Sequence, residues 1–241
     1  MVNHYLIQDL VEFNAPNFSG GKWHVGGNVC GAVCTLYLMR EYLCNVSGGD
    51  GAVDNRWEAD HFVSCWQEIK TGTSNFWDIT EDTFSNPFKI IKSLQNKGLS
   101  AEAIVFEDNK VNNPLYGLLA YNLKDAGYTE GAQDCPQILV NEGNFTTYEY
   151  FLGVFKEAAS QAKSAAKYHY ILLQKVGDGY MFINPHLCEW ENAGNIIDSE
   201  GKFAGGFCLA DGNNKIWQWM NFGLGVKKVN DDFVSKLKEW K

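Results

Sequence analysis

Several protein classes are excluded by what this chain lacks. No apolar run approaches the roughly 18 residues of a membrane-spanning helix, so we expect no membrane span. Only 20 residues are Lys or Arg against 29 Asp or Glu, which gives a net charge of −9 at pH 7. An acidic surface repels phosphate backbones, so nucleic acid is not an expected partner. Met1 to Phe13 also lack the charged start and apolar block of a secretory signal.

Proline is scarce, with 5 in 241 residues, and the sequence contains no internal repeat and no low-complexity linker. Hydrophobic residues make up 45% and charged residues 20%, a balance that is typical of a globular chain. The length suits one domain whose two lobes share a cleft. We expect most of the tryptophans to lie in the core and some to line the cleft, among Trp57, Trp66, Trp77, Trp190, Trp217 and Trp219.

Cysteine is plentiful by comparison. Seven cysteines are more than a cytosolic chain needs, and they allow either one free thiol with up to three disulfides or seven reduced thiols. The compartment is left open, leaning towards secretion because of this cysteine count.

Cys30 stands where a glycine-rich loop meets a stretch that predicts a buried helix. From Ala32 to Leu43 there is no Gly or Pro, and apolar residues cover most of the helix circumference. The first turn of a helix exposes N–H groups and the positive end of the macrodipole, so we expect a lowered thiol pKa. The same groups can hold an oxyanion, and Gly31 can let a substrate approach the backbone. The alternative is an inert core cysteine.

The rest of the chain separates into a helical part and a strand-rich part. Asn86-Pro87 and Asn113-Pro114 each offer a capping residue followed by proline at the first helical position. We predict helices at about 32–43, 55–69, 86–96, 113–126 and 146–167, a strand at 101–106 and a loop at 129–143. Strands follow at 168–175, 180–183, 203–210, 215–220 and 222–229, and then a helix at 231–240. This segregation predicts one α+β domain, residues 1–241, with a helical lobe (about 30–167) and a sheet lobe (about 168–230).

A predicted hairpin carries the second group of chemically interesting residues. Its two strands are joined by Gly177-Asp178-Gly179, a strong turn signal. His169 begins the first strand and Asn184 ends the second, so the hairpin should bring them side by side. A histidine oriented by an amide or carboxylate is the base that a cysteine nucleophile needs. Each residue alone has a simpler explanation, as a strand-edge histidine and a turn asparagine.

These motifs resemble the papain-like cysteine peptidases, in particular the branch that processes bacteriocins at a double-glycine site. That branch has Cys-Gly at the start of its central helix, His-aromatic-aliphatic-aliphatic on a strand, and an aliphatic-(Asp/Asn)-Pro end on the next strand. The counterparts here are Cys30-Gly31-Ala32-Val33, His169-Tyr170-Ile171-Leu172 and Tyr180-Met181-Phe182-Ile183-Asn184-Pro185. The branch usually has Asp where Asn184 stands.

The resemblance implies a papain-like fold, in which the nucleophile helix of an N-terminal helical lobe packs on a C-terminal antiparallel sheet. It implies a peptidase that cleaves a peptide or protein substrate through a thioester and needs neither metal nor organic cofactor. Cys30 would be the nucleophile, His169 the base and acid, and Asn184 the residue that orients the histidine.

The lead-in supplies a further candidate. Phe13-Asn14-Ala15-Pro16, with Trp23, is also similar to bacterial immunoglobulin-cleaving cysteine proteases, which share the papain fold. The papain-like pattern has an oxyanion-hole glutamine six residues before the nucleophile, and that position here is His24. Histidine can donate one hydrogen bond to an oxyanion, and Lys22 or Asn28 are alternative donors. Loss of one such donor costs about 10²–10³ in rate.

Other interpretations remain open. Cys30-x3-Cys34 and His61-x3-Cys65 have a helical spacing that can chelate zinc in a binding module. A papain-fold module without activity could bind a peptide, and a cell-wall amidase could use the same Cys, His and Asn. His186 is an alternative base.

Overall fold

The structure is a computed structural model, and it describes most of the chain. The described residues are 4, 13–14, 22–23, 29–49, 53–54, 56–72, 83–106, 114–129, 132–136, 138–141, 148–158, 168–199, 203–228 and 232–240.

Most helices come early in the described part of the chain and most strands come late. The helices are α1 (Cys30–Ser47), α2 (Trp57–Ile69), α3 (Pro87–Asn96), α4 (Pro114–Asp125) and α5 (Phe233–Glu239). The strands are β1 (Phe13–Asn14), β2 (Lys22–Trp23), β3 (Leu99–Phe106), β4 (Ile138–Asn141), β5 (Tyr150–Glu157), β6 (Tyr168–Val176), β7 (Gly179–Ile183), β8 (Trp190–Asn192), β9 (Cys208–Ala210) and β10 (Ile216–Lys228). The mixture confirms an α+β arrangement of helices with a largely antiparallel sheet.

One eight-stranded sheet organises the fold. Its order is β4-β3-β10-β5-β6-β7-β8, with β9 paired to the start of β10. All of its pairs are antiparallel except β3 with β4. The long strand β10 holds the sheet together because it pairs with β3, β5 and β9. Its register against β5 shifts between Trp219 and Gly223, where Asn221 adopts a positive φ of 57°.

The two faces of the sheet belong to different clusters. Tyr170 and Leu172 of β6 lie in the cluster that contains α1, α2 and α3, whereas Ile171 and Leu173 lie in an aromatic-rich cluster on the opposite face. This alternation is the period of two that a strand imposes on its side chains. Helix α1 is buried on all sides from Cys30 to Cys44, as predicted for a helix that is apolar on most of its circumference.

Several segments differ from the sequence-based expectation. Of the strand expected at 203–210, only Cys208–Ala210 forms a strand, β9, and Trp190–Asn192, which was not expected to be a strand, forms β8. Residues 150–157 were expected in a long helix from 146 to 167, but they form β5, which is buried from Tyr150 to Phe155. Ile138–Asn141 lies in the expected loop and forms β4. With β3, three strands of the sheet therefore come from within residues 30–167, so helices and strands are less segregated than the sequence suggested. The expected helix beyond residue 158 lies outside the described residues up to 167.

A buried ionic cluster fixes the helices beneath the sheet. The His4 ring contacts the Glu58 carboxylate at 2.8 Å through Nδ1 and the Glu41 carboxylate at 3.2 Å through Nε2. Arg40 Nη1 donates to the same Glu58 oxygen at 3.1 Å. Both glutamates are fully buried, so each charge depends on a partner nearby. The cluster thereby ties His4 to α1 and α2.

No helix among the described residues is long and apolar enough to span a membrane.

The Asn86 cap gives a test of the fold. The Asn86 side chain accepts N–H bonds from Phe88 (2.9 Å) and Lys89 (3.3 Å), and its Nδ2 donates to Asn122 O and Asp125 Oδ2, both at 2.8 Å. We expect Asn86→Ala to lower the free energy of unfolding by about 2 kcal/mol, because a cap and two buried hydrogen bonds are lost together. Urea denaturation measures the change.

Asn96→Ala is the matched control, because Asn96 is exposed at the other end of the same helix. A change within about 0.5 kcal/mol is expected there. Equal losses in the two variants would contradict the capping role of Asn86.

Candidate active site

Cys30 is the first residue of α1, as predicted, but it is not open to solvent. Val29 precedes it and makes no side-chain cap, so the first-turn N–H groups carry no capping acceptor from that residue. The Cys30 side chain is 4% exposed. A Cβ added at Gly31 would clash with Ser85 Cβ and lie 2.6 Å from Ser85 Oγ. Gly31 is therefore required by packing against Ser85, and the approach of a substrate, which the sequence suggested as its reason, stays a prediction.

The sulfur of Cys30 lies against the strand that carries His169. The backbone N–H of Tyr170 donates to Cys30 Sγ at 3.3 Å, and Cys34 Sγ donates to the Tyr170 carbonyl at 3.4 Å. Two cysteines one helical turn apart thus bind the N–H and C=O of a single residue of β6. Strand β7 pairs with β6 only as far as Leu172 opposite Ile183, so the start of α1 adjoins β6 beyond the end of that ladder.

His169 and Asn184 meet as the hairpin predicts. His169 Nε2 lies 2.9 Å from Asn184 Oδ1, and both side chains are buried. The backbone N–H of His186 also donates to Asn184 Oδ1, at 3.1 Å. A backbone N–H is always a donor, so this contact identifies the Asn184 atom as the oxygen. His169 Nε2 therefore carries the proton, and Nδ1 is the nitrogen that can accept one.

Two rings stack on His169. The His186 ring lies parallel to it with centroids 4.6 Å apart, and the Trp217 ring lies 4.7 Å away at 32°. His186, the alternative base, is exposed and contacts His169 rather than Cys30 in the described contacts. Trp217 belongs to the aromatic cluster on the sheet face opposite α1. The imidazole thus lies on the face opposite α1. Its described contacts are with Asn184, His186 and Trp217, whereas the Cys30 sulfur is bound to the N–H of Tyr170, so the structure brings His169 to Asn184 but not into contact with Cys30.

Burial sets the charge states of the two candidate catalytic residues. Burial raises the pKa of the Cys30 thiol to about 11, although N–H groups of Tyr170, Gly31 and Cys30 itself act in the opposite direction. Burial, with the neighbouring His186, lowers the pKa of His169 to about 3, against the raising effect of the Asn184 hydrogen bond. The expected lowering of the Cys30 pKa by the helix start is therefore wrong, because desolvation is larger. In the protein without substrate, Cys30 is therefore a thiol and His169 a neutral imidazole at neutral pH.

Several predicted residues take no part in what the structure describes of the site. His24 and Asn28 lie outside the described residues, and of Lys22 only the backbone is described, in β2. Trp77 also lies outside them, whereas Trp66 and Trp219 are core residues.

Sequence reasoning missed Asp211, whose Oδ2 accepts from Asn184 Nδ2 at 3.0 Å. Its position in Asp211-Gly212-Asn213-Asn214 indicated only a turn.

No disulfide joins any two of the seven cysteines, all of which the structure describes, and this corresponds to the fully reduced alternative. Cys65 Sγ donates to Ala32 O at 3.7 Å, and His61 Nδ1 bonds to Trp57 O at 2.8 Å. Among the residues that the structure describes, no three His, Cys, Asp or Glu side chains form a metal-binding group.

Comparison of the chain with family models, with curated proteins and with solved structures finds no match. The case for a function therefore depends on the geometry around Cys30, His169 and Asn184.

The lowered pKa of His169 predicts a pH dependence of stability. The unfolded chain binds a proton at His169 near pH 6.5, whereas the folded chain does so only near pH 3. Stability from this residue is therefore present above pH 6.5 and is lost as the pH falls towards 3, by up to about 1.4 kcal/mol per pH unit. Urea denaturation from pH 7 to pH 4 should show a flatter profile for His169→Gln. The difference between the two profiles isolates His169, and parallel profiles would contradict its burial as a neutral imidazole.

Proposed function

We propose that the protein is a papain-fold cysteine peptidase in which Cys30 is the nucleophile, His169 the base and acid, and Asn184 the orienting residue. One observation carries the proposal: the Cys30 sulfur accepts a hydrogen bond from the backbone N–H of Tyr170. The residue before Tyr170 on the same strand is His169, whose ring is bound to the side-chain oxygen of Asn184.

The acylation step follows from the protonation states. The proposal requires the His169 ring to come within hydrogen-bond reach of the Cys30 sulfur when substrate binds, a contact that the free structure does not have. His169 Nδ1 then takes the proton from Cys30 as the sulfur attacks the carbonyl carbon, so the thiolate forms in the transition state and not beforehand. The oxyanion is met by first-turn N–H groups of α1, with His24 as the proposed further donor. The C–N bond then breaks, the leaving nitrogen takes the proton from Nδ1, and a thioester on Cys30 remains.

Deacylation reverses the roles. Water attacks the thioester while His169 Nδ1 accepts its proton, the C–S bond breaks, and the sulfur recovers the proton. Nε2–H of His169 stays bonded to Asn184 Oδ1 throughout, which holds the ring and supports the imidazolium that forms twice per turnover.

An inactive peptide-binding module is the second candidate, and one observation favours it. The thiol is 4% exposed and its pKa is raised to about 11, so Cys30 alone would be a poor nucleophile at neutral pH. Activity requires that His169 take its proton. The two candidates therefore differ in whether the reactivity of Cys30 depends on His169.

Alkylation of Cys30 separates these candidates. With iodoacetamide at pH 7, we expect His169→Ala to slow labelling of Cys30 by about 10²-fold or more, the usual contribution of a positioned base. The residual rate should rise about tenfold per pH unit up to the thiol pKa, whereas the wild-type rate should vary less. Mass spectrometry of the peptide that contains Cys30 measures both.

Other reactive thiols must first be removed from the protein used for the labelling experiment. Cys208 is exposed and Cys135 half-buried, so both are replaced by Ser. His61→Ala is the matched control, since the described contacts of His61 are with Trp57 and Trp240. Loss of labelling in His186→Ala alone would instead identify His186 as the base. Slow labelling over several cysteines, independent of His169, would favour the inactive module.

Substrate cleavage tests the peptidase directly. We expect the wild-type protein to cut bonds in a mixture of unstructured peptides and Cys30→Ala to cut none, as followed by mass spectrometry. Cys65→Ala is the control, because it removes another buried thiol outside the proposed site. Cleavage of muropeptides but not of the peptide mixture would indicate the cell-wall amidase that shares this chemistry.

A further inference from the structure

We propose that Asp211 is a positioning residue that sets the tautomer of His169 through Asn184 and supplies the negative charge that the Asn184 amide lacks. The inference rests on the proposed function for its catalytic meaning, but the geometry of the hydrogen bonds stands independently of it.

The Asp211 carboxylate is enclosed by donors. Its Oδ2 accepts from Trp217 Nε1 at 2.8 Å and from Asn184 Nδ2 at 3.0 Å, and its Oδ1 accepts from the backbone N–H groups of Asn213 and Lys215, both at 3.0 Å. The residue is 5% exposed. An indole N–H and backbone N–H groups cannot accept a hydrogen bond. A proton on the carboxyl group would displace one of these donors, so the site selects the carboxylate.

The titration of Asp211 agrees with this geometry. Burial acts to raise its pKa, but the hydrogen bonds from Trp217, Lys215, Asn213 and Asn184 together outweigh burial and hold the pKa below its usual value. Asp211 is therefore negatively charged throughout the neutral range.

The charged Asp211 leaves Asn184 only one orientation. An amide can exchange its oxygen and nitrogen by a flip of the side chain. On one side Asp211 only accepts, and on the other the His186 N–H only donates, at 3.1 Å from Asn184 Oδ1. A flip would place the Asn184 amide N–H groups against that donor and its oxygen against the carboxylate.

The orientation of Asn184 then decides the tautomer of His169. Asn184 Oδ1 is an acceptor that faces His169 Nε2 at 2.9 Å, so Nε2 must carry the proton and Nδ1 remains free to act as the base. Asp211 also binds the Trp217 indole, which packs at a tilt against His169. One carboxylate therefore orients two neighbours of the imidazole, Asn184 and Trp217.

The distinguishing variant is Asp211→Asn. An asparagine at 211 keeps the size of the side chain but cannot accept at all four positions, so Asn184 loses one of the two contacts that oppose its flip and keeps only the one with the His186 N–H. Nitrogen chemical shifts of ¹⁵N-labelled His169 at pH 7 distinguish the Nε2–H from the Nδ1–H tautomer. We expect Nε2–H in the wild-type protein and a substantial Nδ1–H population in Asp211→Asn.

The alkylation rate of Cys30 gives the catalytic readout. A wrong histidine tautomer costs about 10⁴ in serine proteases. At metal sites, the hydrogen-bond partners that orient a ligating histidine cost about 10- to 100-fold when they are changed, and we take that range for a partner one bond further from the reaction. We expect Asp211→Asn to slow His169-dependent labelling by about 10- to 100-fold. Glu191→Gln is the matched control. Glu191 is also a carboxylate and lies near enough to Asp211 to interact with it electrostatically, but the hydrogen bond from the Asn184 amide goes to Asp211. It should change neither the tautomer nor the rate.

A double variant that exchanges the carboxylate and the amide between positions 184 and 211 tests whether the effect of Asp211→Asn comes from general destabilisation. In Asn184→Asp with Asp211→Asn, the carboxylate at 184 accepts from His169 Nε2–H and from the amide now at 211. We expect the Nε2–H tautomer and most of the labelling rate to return. Recovery in the double variant after loss in Asp211→Asn cannot come from general destabilisation.

The outcomes separate the two proposals. If Cys30 labelling never depends on His169 but Asp211→Asn changes the tautomer, the peptidase proposal fails and the positioning role stands. If labelling depends on His169 while Asp211→Asn keeps both the tautomer and the rate of the wild type, the positioning role of Asp211 is overturned. Failure of the double variant to restore the tautomer, when it folds as stably as the wild type, would also overturn it.

Discussion

The contact between the start of α1 and the edge of β6 is the constraint on which the rest of the site depends. Tyr170 presents a backbone N–H and a C=O where its ladder with β7 has ended, and buried backbone groups need partners. Cys30 and Cys34 supply them with their sulfurs, at 3.3 and 3.4 Å. Because Cys30 and Cys34 are four residues apart on α1, their sulfurs lie one helical turn apart, and this spacing lets them reach the N–H and the C=O of Tyr170. This explains a role for Cys34 that has nothing to do with metal.

That same contact determines the electrostatics of the site. Docking a helix start onto a sheet edge removes the thiol from water, and desolvation then outweighs the N–H groups that would favour the thiolate. The imidazole, enclosed by His186 and Trp217, is disfavoured as a cation for the same reason. Both groups are neutral, so the proton transfer proposed above would create two opposite charges together. Such a pair stabilises itself in a low-dielectric site, whereas either charge alone does not.

The fold could be predicted wherever local chemistry decides, and not where long-range pairing does. Asn86-Pro87 caps α3, and a two-residue turn at Gly177-Asp178 joins β6 and β7, because both signals act within a few residues. The failure at β5 has a physical cause: Tyr150, Phe151, Val154 and Phe155 satisfy a helical period and a strand buried on both faces equally well. Gly153, a glycine inside the predicted helix, was a signal for a strand that was not used. The strand needs glycine there, since an added Cβ would lie 2.5 Å from the Phe155 ring.

The candidate site could be predicted as far as the residues whose chemistry is visible one at a time. The position of Cys30 at a predicted helix start indicated a nucleophile. The positions of His169 and Asn184 at opposite ends of one predicted hairpin indicated the histidine and its partner. The burial that governs their pKa values depends on clusters assembled from the whole sheet, which no local pattern contains.

The position of the negative charge behind the histidine links Asn184 to Asp211. A carboxylate at 184 would lie about where the amide nitrogen now stands, 3.0 Å from Asp211 Oδ2. Two carboxylates at that distance cannot both ionise without a large cost, and one of them would take up a proton. An amide at 184 avoids this, because its oxygen serves His169 and its nitrogen serves Asp211. In this chain the negative charge therefore lies one hydrogen bond away from Asn184, on a turn residue whose carboxylate also binds Trp217 of β10. The charge on Asp211 gives a physical reason why an amide suits position 184 better than a second carboxylate would.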